Sequence, residues 1–541
     1  MGRFRRGASG AGVFGRLHPA ARLRHGAAIL SHPARGPAGG HTVCVSSPLQ
    51  RLSALETRPA AAVASAPARP RRPLERSLEY LPGWGGAVGA QSPIWRPADL
   101  AGLRQALEEA RVRGLSIGLR GGGNSYGDAA VNQGGAVLDL TRMNRLLGFD
   151  RDTGVAEVEP GVTIEQLWKT ILPLGFWPKV VSGTMFPTVA GAAAMNIHGK
   201  NNFKVGTIGD ALLEFDLLLA DGQLLTCSRE TNPDLFHAAI GGFGMLGVMT
   251  RLKLRTQRVH SGDLEVRAIS CPDLGAMMAA FEERKSAADY LVGWVDCFAS
   301  GRGLGRGLIH EARYLAPGED PAPERTLALA HQELPSRILG LFPKSQVWRC
   351  MAPICNDLGL PVLNATKHFM GRREAAAPPY RQSHAGFAFL LDYVPNWKRA
   401  YGPGGLIQYQ SFLPVETAHE TYRELLTLNQ RRGLVPYLGV FKRHRPDPFW
   451  LTHAVDGWSF AMDFRVTRQN REALWRHTAE LTERVLAAGG RFYFAKDLVL
   501  GKAAVERMFP ADRREAFLAL KRRLDPELRL QTNLWRRLFD A

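Results

Sequence analysis

Arg120-Gly121-Gly122-Gly123 ends a short strand, residues 116–120, by breaking it into three glycines. With no Cβ in the way, such a loop brings backbone N–H groups against a bound pyrophosphate, and Arg120 adds a cation beside it. The spacing is not the G-x-G-x-x-G of a dinucleotide-binding βαβ unit. Tyr126 stands where the last glycine would fall, and residues 131–135 lead into another strand, not a helix. A plain surface turn explains three glycines equally well. Two further stretches favour a ligand. Residues 180–200 gather Gly183, Ala190, Gly191 and Ala192 to Ala194 before His198-Gly199-Lys200, and residues 241–247 contain four more glycines. A run of small residues lets a flat ligand lie on the backbone, or lets helices pack tightly.

A second set of reactive side chains lies near the C-terminus. Gln408 and Gln410 are two apart in one strand pattern and so share a face. Lys442 ends the next strand, Ser459, Ala461 and Asp463 alternate on a third, and Lys496 ends a fourth. Such a face is a solvated surface unless its neighbours are apolar. Here they include Tyr409, Phe441, Phe460, Phe464, Tyr493 and Phe494, so the pattern reads as a pocket with a few convergent polar groups.

The elements that must hold these groups are legible. A helix over 98–113 starts at Asp99 and stops at Gly114, and Thr163-x-x-Gln166 is a capping box. Strands at 213–219 and 223–227 flank Ala220-Asp221-Gly222, a hairpin turn. A helix over 234–240 and a strand over 248–254 follow. Further on, strand 406–412, helix 415–431 and strand 435–442 form one β-α-β unit, and strand 458–466, helix 471–488 and strand 491–495 form another. One sheet covered on one face by helices is the expected layer. Segment 300–385 reads as irregular loops or a lid.

The chain has 541 residues and a formal charge of +19. Residues 1–75 contain 12 Arg and two acids, so they carry +10 of that charge. This Arg-, Ala- and Pro-rich extension reads as disordered, either a transit peptide or an over-long start. The remaining +9 suits an anionic substrate or a membrane surface, and no nucleic-acid motif accompanies it. No apolar run approaches a membrane span, so a cytoplasmic protein, or one peripheral at the membrane, is expected. Six cysteines without metal-ligand spacing predict neither a disulfide framework nor a metal site.

The RGGGxSYGD opening, His198-Gly199-Lys200-Asn201, Ala400 to Gln410, Val440 to Lys442 and Tyr493-Phe494-Ala495-Lys496-Asp497 together resemble the FAD-linked oxidases of the vanillyl-alcohol oxidase type over about residues 80–541. The resemblance implies an α+β, two-domain PCMH-type FAD-binding fold. The FAD domain would be 76–257 with a return at 491–541, and 258–490 would be an α+β substrate domain. It implies FAD contacts at Arg120, Gly121, Gly122, Gly123, Asn124, Ser125, Tyr126, Gly183, Thr184, Gly191, Asn196, His198 and Gly199. It implies substrate contacts at Lys200, Gln408, Gln410, Lys442, Asp463 and Lys496, with Lys496, Tyr126 and His198 at the reacting atoms. Asn124 stands where covalent members carry a flavin-linking histidine, so FAD would be non-covalent. Ala461 stands where the nearest branch of the family has a cysteine. That branch implies oxidation of a polyprenyl-phospho-ribose to a 2-keto sugar, the first half of an epimerisation to arabinose. A separate NAD(P)H-dependent short-chain reductase would complete it. A soluble sugar-lactone or alditol oxidase, and a non-enzymatic flavin- or nucleic-acid-binding protein, are the alternatives.

Overall fold

The computed structural model describes residues 74–338 and 342–540. The 1–75 extension lies outside the described residues except for its last two, and Glu75 opens the first strand.

Three sheets organise the described residues. In the first, β1 (Glu75–Pro82) and β2 (Gly89–Arg96) form an antiparallel hairpin. β2 then pairs in parallel with β4 (Ala136–Asp139), and β4 with β3 (Ile117–Arg120). The helix Leu100–Val112 packs on this sheet through Leu103, Ala106, Leu107 and Ala110, and Asp99 caps it by accepting from Gly102 N–H at 2.7 Å. The chain leaves β3 through the glycines with no helix, as the spacing predicts.

The second sheet is antiparallel. It comprises β5 (Leu146–Asp150), β6 (Val155–Val158), β7 (Phe176–Pro178), β8 (Leu212–Leu218), β9 (Leu224–Ser228) and β10 (Val248–Arg258). The Thr163–Gln166 capping box is formed, and it starts the helix Ile164–Ile171 on the side that buries Leu167, Trp168 and Ile171. The alanine-rich stretch becomes the short helix Val189–Ala194, capped by Thr188.

The third sheet has eight strands in the order β16-β11-β13-β12-β18-β19-β17-β20. These are β11 (Asp263–Cys271), β12 (Tyr290–Val295), β13 (Gly307–Tyr314), β16 (Tyr380–Ser383), β17 (Leu406–Pro414), β18 (Leu438–His444), β19 (Gly457–Arg465) and β20 (Arg491–Phe492). A separate pair, β14 (Arg337–Ile338) and β15 (Phe342–Pro343), stands outside it. The helices Leu274–Arg284, Val415–Arg431 and Arg471–Ala487 cover one face. Phe281 and Tyr422 meet the Phe441 ring, and Tyr409 reaches Thr482. The fold is α+β, with these three helices on one side of this sheet and the helix Gly359–Ala375 against Leu308 on the other.

Two expectations need correction. Segment 300–385 is not all loop, because it supplies β13 and the 17-residue helix Gly359–Ala375. Its apolar residues there are spaced for a half-covered strand and a helix with an exposed side, and neither gives a clean amphipathic period. The last strand stops at Phe492, so Lys496 sits in a turn and does not end a strand. Lys496 and Asp497 N–H both return to the Tyr493 carbonyl. The chain then ends in the helices Lys502–Met508, Ala511–Leu524 and Asn533–Leu538. Gln531 N–H bonds Ile117 O and Asn533 N–H bonds Val131 O, which brings this tail back to the first sheet.

Candidate active site

The open face of the eight-stranded sheet is the floor of a cavity of about 460 Å³. Register decides which side chains reach it. Gln408 lies opposite Asp463, Gln410 opposite Ala461, Ala461 opposite Val440, and Ser459 opposite Lys442. Trp294 pairs with Val440, and His310 with Val292. Alternation then sends Tyr409, Phe441, Phe460 and Phe464 to the helix-covered side. The expectation that those aromatics form the pocket wall is therefore corrected. The apolar part of the floor is Val292, Trp294, Leu438, Val440 and Ala461, with Leu391 and Tyr493 beside it.

The glycine stretches form the opposite side. Gly121 to Tyr126, Ser182 to Thr184, Thr188, Gly191, Phe243, Gly244 and Gly247 all line the cavity. The backbone N–H groups of Gly122, Gly123, Asn124 and Ser125 donate to no described residue. Backbone donors are almost always paired, so four successive free ones on a cavity wall form a nest for an anion. A Cβ on Gly121 would collide with Thr188 Oγ1, and one on Gly122 with the Phe186 carbonyl, so only glycine lets the two loops close on this space. The donor set and the small-residue lining fit the pyrophosphate and flat ring system of FAD. Arg120 lines the same wall, but its guanidinium is already fixed by the Ala130 and Pro82 carbonyls at 3.1 and 3.3 Å. Asn124 donates its amide to Gly122 O at 3.0 Å.

Between floor and cradle stands Lys496. Its ammonium lies 3.8 Å from the Tyr126 ring centroid. Tyr126 is held by its N–H on Ala495 O at 2.8 Å and by the Trp84 ring 4.5 Å away. Burial pushes Lys496 below the usual lysine range, and the nearby Asp463 charge opposes that shift. Burial raises Asp463, and its second oxygen has no partner. Gln408 donates its Nε2 to Asp463 Oδ1 at 2.5 Å and lies 3.4 Å from Tyr126 OH, leaving Oε1 as an acceptor toward the cavity.

A second polar group surrounds His198. Gln410 Nε2 meets His198 Nε2 at 3.1 Å and Ser459 Oγ at 3.3 Å, and Ser459 is 2.7 Å from His444 Nε2. The amide nitrogen can only donate, so in this Gln410 orientation His198 Nε2 is the acceptor, and Nδ1 carries the proton without a protein partner. Burial, then the Lys442 charge, keeps His198 neutral. Burial also pushes Lys442 down to about 8, and Lys200 to about 7 with help from Lys442. Lys200 donates to the Phe387 carbonyl and stacks on the Phe387 ring. Among the described residues, the Lys442 ammonium has no hydrogen-bond or ion-pair partner.

Most of the expected site residues converge on the cavity, and three do not line it. Asn196 is buried in a left-handed conformation, donating to Asp447 and accepting from Gly209 N–H. Gly199 packs against Asn201. Asp463 stands behind Gln408 and accepts from its Nε2. Sequence reasoning missed Trp84, Trp294, His310 and Lys367 among the lining residues. The last two lie in the segment read as irregular. In β13, His310 shares a face with Leu308 and Ala312, and nothing local marks that face as the cavity side.

Residues 92–228 match the family model described as an FAD binding domain. The chain is 29% identical over 476 residues to the decaprenylphosphoryl-beta-D-ribose oxidase of Mycolicibacterium smegmatis, a match covering 85% of this chain and 98% of that protein. It is 31% identical over 201 residues to cytokinin dehydrogenase 2 of Oryza sativa subsp. japonica, covering 36% of this chain and 35% of that one. Its similarity to the L-gulonolactone oxidase of Mus musculus is 27% over 173 residues, or 32% of this chain and 39% of that one.

Proposed function

We propose that this chain, an FAD-dependent oxidoreductase of the FAD-linked oxidase type, oxidises a secondary hydroxyl of a sugar that carries a phosphate, a polyprenyl-phospho-pentose being the best fit. The observation that carries the reading is the charge of the cavity lining. Lys200, Lys367, Lys442 and Lys496 line it with Arg120, and no Asp or Glu does. Lys200 and Lys442, whose charge burial disfavours and which no carboxylate offsets, are costly to keep charged unless an anion compensates them. A neutral lactone or alditol supplies no such anion, which disfavours that reading despite the lactone oxidases among the relatives. The long match to an oxidase named for a phosphorylated ribose points the same way.

Bound FAD would supply the two-electron acceptor for a hydride leaving the carbinol carbon. The glycine cradle at residues 121–125, with Gly183, Thr184 and Gly191, would hold it non-covalently, since the Asn124 amide cannot form a flavin link. Lys496 would face the carbinol oxygen, where its lowered pKa lets the amine take the hydroxyl proton. Gln408 Oε1 would accept from a sugar hydroxyl, oriented by Asp463. His198 would offer Nδ1–H, and Lys200 and Lys442 would meet the phosphate. Residues 76–257 with 491–541 would form the FAD part and 258–490 the substrate part. The keto sugar would pass to a separate NAD(P)H-dependent reductase. A lipid-linked substrate would be met at a membrane surface, for which no described helix is long and apolar enough to be a span.

Anaerobic mixing of FAD-loaded protein with phosphorylated and neutral sugars tests this. Bleaching by a phosphorylated pentose and not by its neutral parent is the expected result. Equal bleaching by sugar lactones would defeat it.

A further inference from the structure

Two cavity residues, Lys367 and His310, are unexplained by the oxidation itself. Lys367 belongs to the helix Gly359–Ala375, which runs over the β11 and β13 side of the sheet. The residue is exposed on that helix, yet its ammonium turns inward to 4.4 Å from the Trp294 ring centroid and lines the cavity. That ammonium makes no hydrogen bond or ion pair with any described residue. His310, on β13, lies opposite Val292 of β12. Its nearest carboxylate is Glu374 at 3.8 Å, which also receives the Tyr380 hydroxyl.

The register places these groups around one point. Val292 precedes Gly293, which pairs with Phe441, and Phe441 precedes Lys442. Val292 is therefore flanked by His310 on one side and by the strand of Lys442 on the other. Lys200 is tied to the same strand, because its carbonyl accepts from Leu291 N–H at 3.0 Å. Burial and then the Glu374 charge act most on His310, and the charges of Lys367 and Lys200 reach it as well. Neighbouring strands are about 4.8 Å apart. An anion over Val292 and Lys442 thus stands roughly one strand from a sugar ring over Val440 and Ala461, which matches the span from a phosphate to the ring that bears it. Gln410 and Lys496 lie beyond the ring.

We propose that Lys367 and His310 complete a phosphate subsite over Val292, opposite Lys200 and Lys442, so that the 359–375 helix closes on the anionic end of the substrate. The inference rests on the reading of an anionic sugar substrate and adds its specificity element. Lys367 then selects phosphorylated over neutral sugars, and any group beyond the phosphate leaves the cavity beneath this helix.

The test uses FAD-loaded full-length protein titrated calorimetrically with inorganic phosphate. Wild type should bind, Lys442→Met and Lys367→Ala should each weaken binding at least tenfold, and Lys367→Arg should stay within about threefold of wild type. Alanine is a good helix former, so Lys367→Ala should leave the helix intact, and Lys367→Gln gives a second variant. Wild-type affinity in both Lys367→Ala and Lys367→Gln, with binding lost in Lys442→Met, would overturn this inference and leave the anionic-substrate reading standing. No phosphate binding by wild type would overturn both.

Discussion

At the residue scale the site depends on cations kept from water. Lys496 is wedged between the Tyr126 ring and the charge of Asp463, and it is the group proposed to take the hydroxyl proton. Lys496→Met should retain FAD and lose substrate-dependent bleaching by on the order of 10²–10⁴-fold, the range of a general acid–base contribution. Stopped-flow reduction of the flavin checks it, and full turnover in the variant would remove Lys496 from the chemistry. Lys442 gives a pH signature. Burial holds its pKa at about 8, and it faces Lys200, Lys496, His198 and His444, none of which supplies negative charge. The ammonium is the anion-binding form, and it is present below that pKa. KM for a phosphorylated substrate should therefore rise as pH increases through about 8, while KM for a neutral sugar stays flat. Lys442→Met should remove the step near pH 8 and leave only the part that Lys200 contributes.

At the element scale one turn links the two sides of the cavity. A Cβ on Gly127 would overlap the Asp497 carbonyl oxygen, so the Ser125-Tyr126-Gly127-Asp128 loop can press against the 493–497 turn only with glycine there. The C-terminal helix locks the pair. Arg537 is bidentate to Asp128 at 3.0 and 2.8 Å and also reaches Asp497 at 2.9 Å and Leu500 O. Removing it leaves two buried carboxylates without a cation, a loss of about 3–5 kcal/mol for a buried pair. Arg537→Met should lower the denaturant midpoint accordingly. It should also slow flavin reduction, because both Tyr126 and Lys496 hang on this clamp. A variant that is destabilised but reduces its flavin at the wild-type rate would show that the clamp does not position Lys496.

At the scale of the whole molecule the cavity lies where the glycine loops of the first two sheets face the open side of the third. A ligand bound there touches all three, and its binding free energy adds to folding stability by mass action. With Asn124 at the linking position, acid precipitation should release all flavin into the supernatant. Adding FAD to the stripped protein should raise its melting temperature with ligand concentration, as about 2.7 kcal/mol of stabilisation at a hundredfold excess over Kd requires. Flavin retained in the pellet would contradict the non-covalent reading.

The sequence by itself determined the local units, because their signals are local. Asp99, the Thr163–Gln166 box, the three glycines after Arg120 and the helix Val415–Arg431 all act over a few residues through backbone geometry and capping. Period-two spacing also put Gln408 with Gln410, and Ser459 with Asp463, on common faces. Only the tertiary structure decided where the flanking aromatics go. The polar face with Ala461 on it already reads as a pocket, but whether Phe441 and Phe460 join that pocket or turn from it depends on which side the covering helices take, and no local spacing says so. It likewise decided that Lys496 sits in a turn, that Asp463 stands behind Gln408, and that Lys367 and His310 reach the cavity. Their partners are distant in sequence, and contacts of that range leave no period or spacing to read.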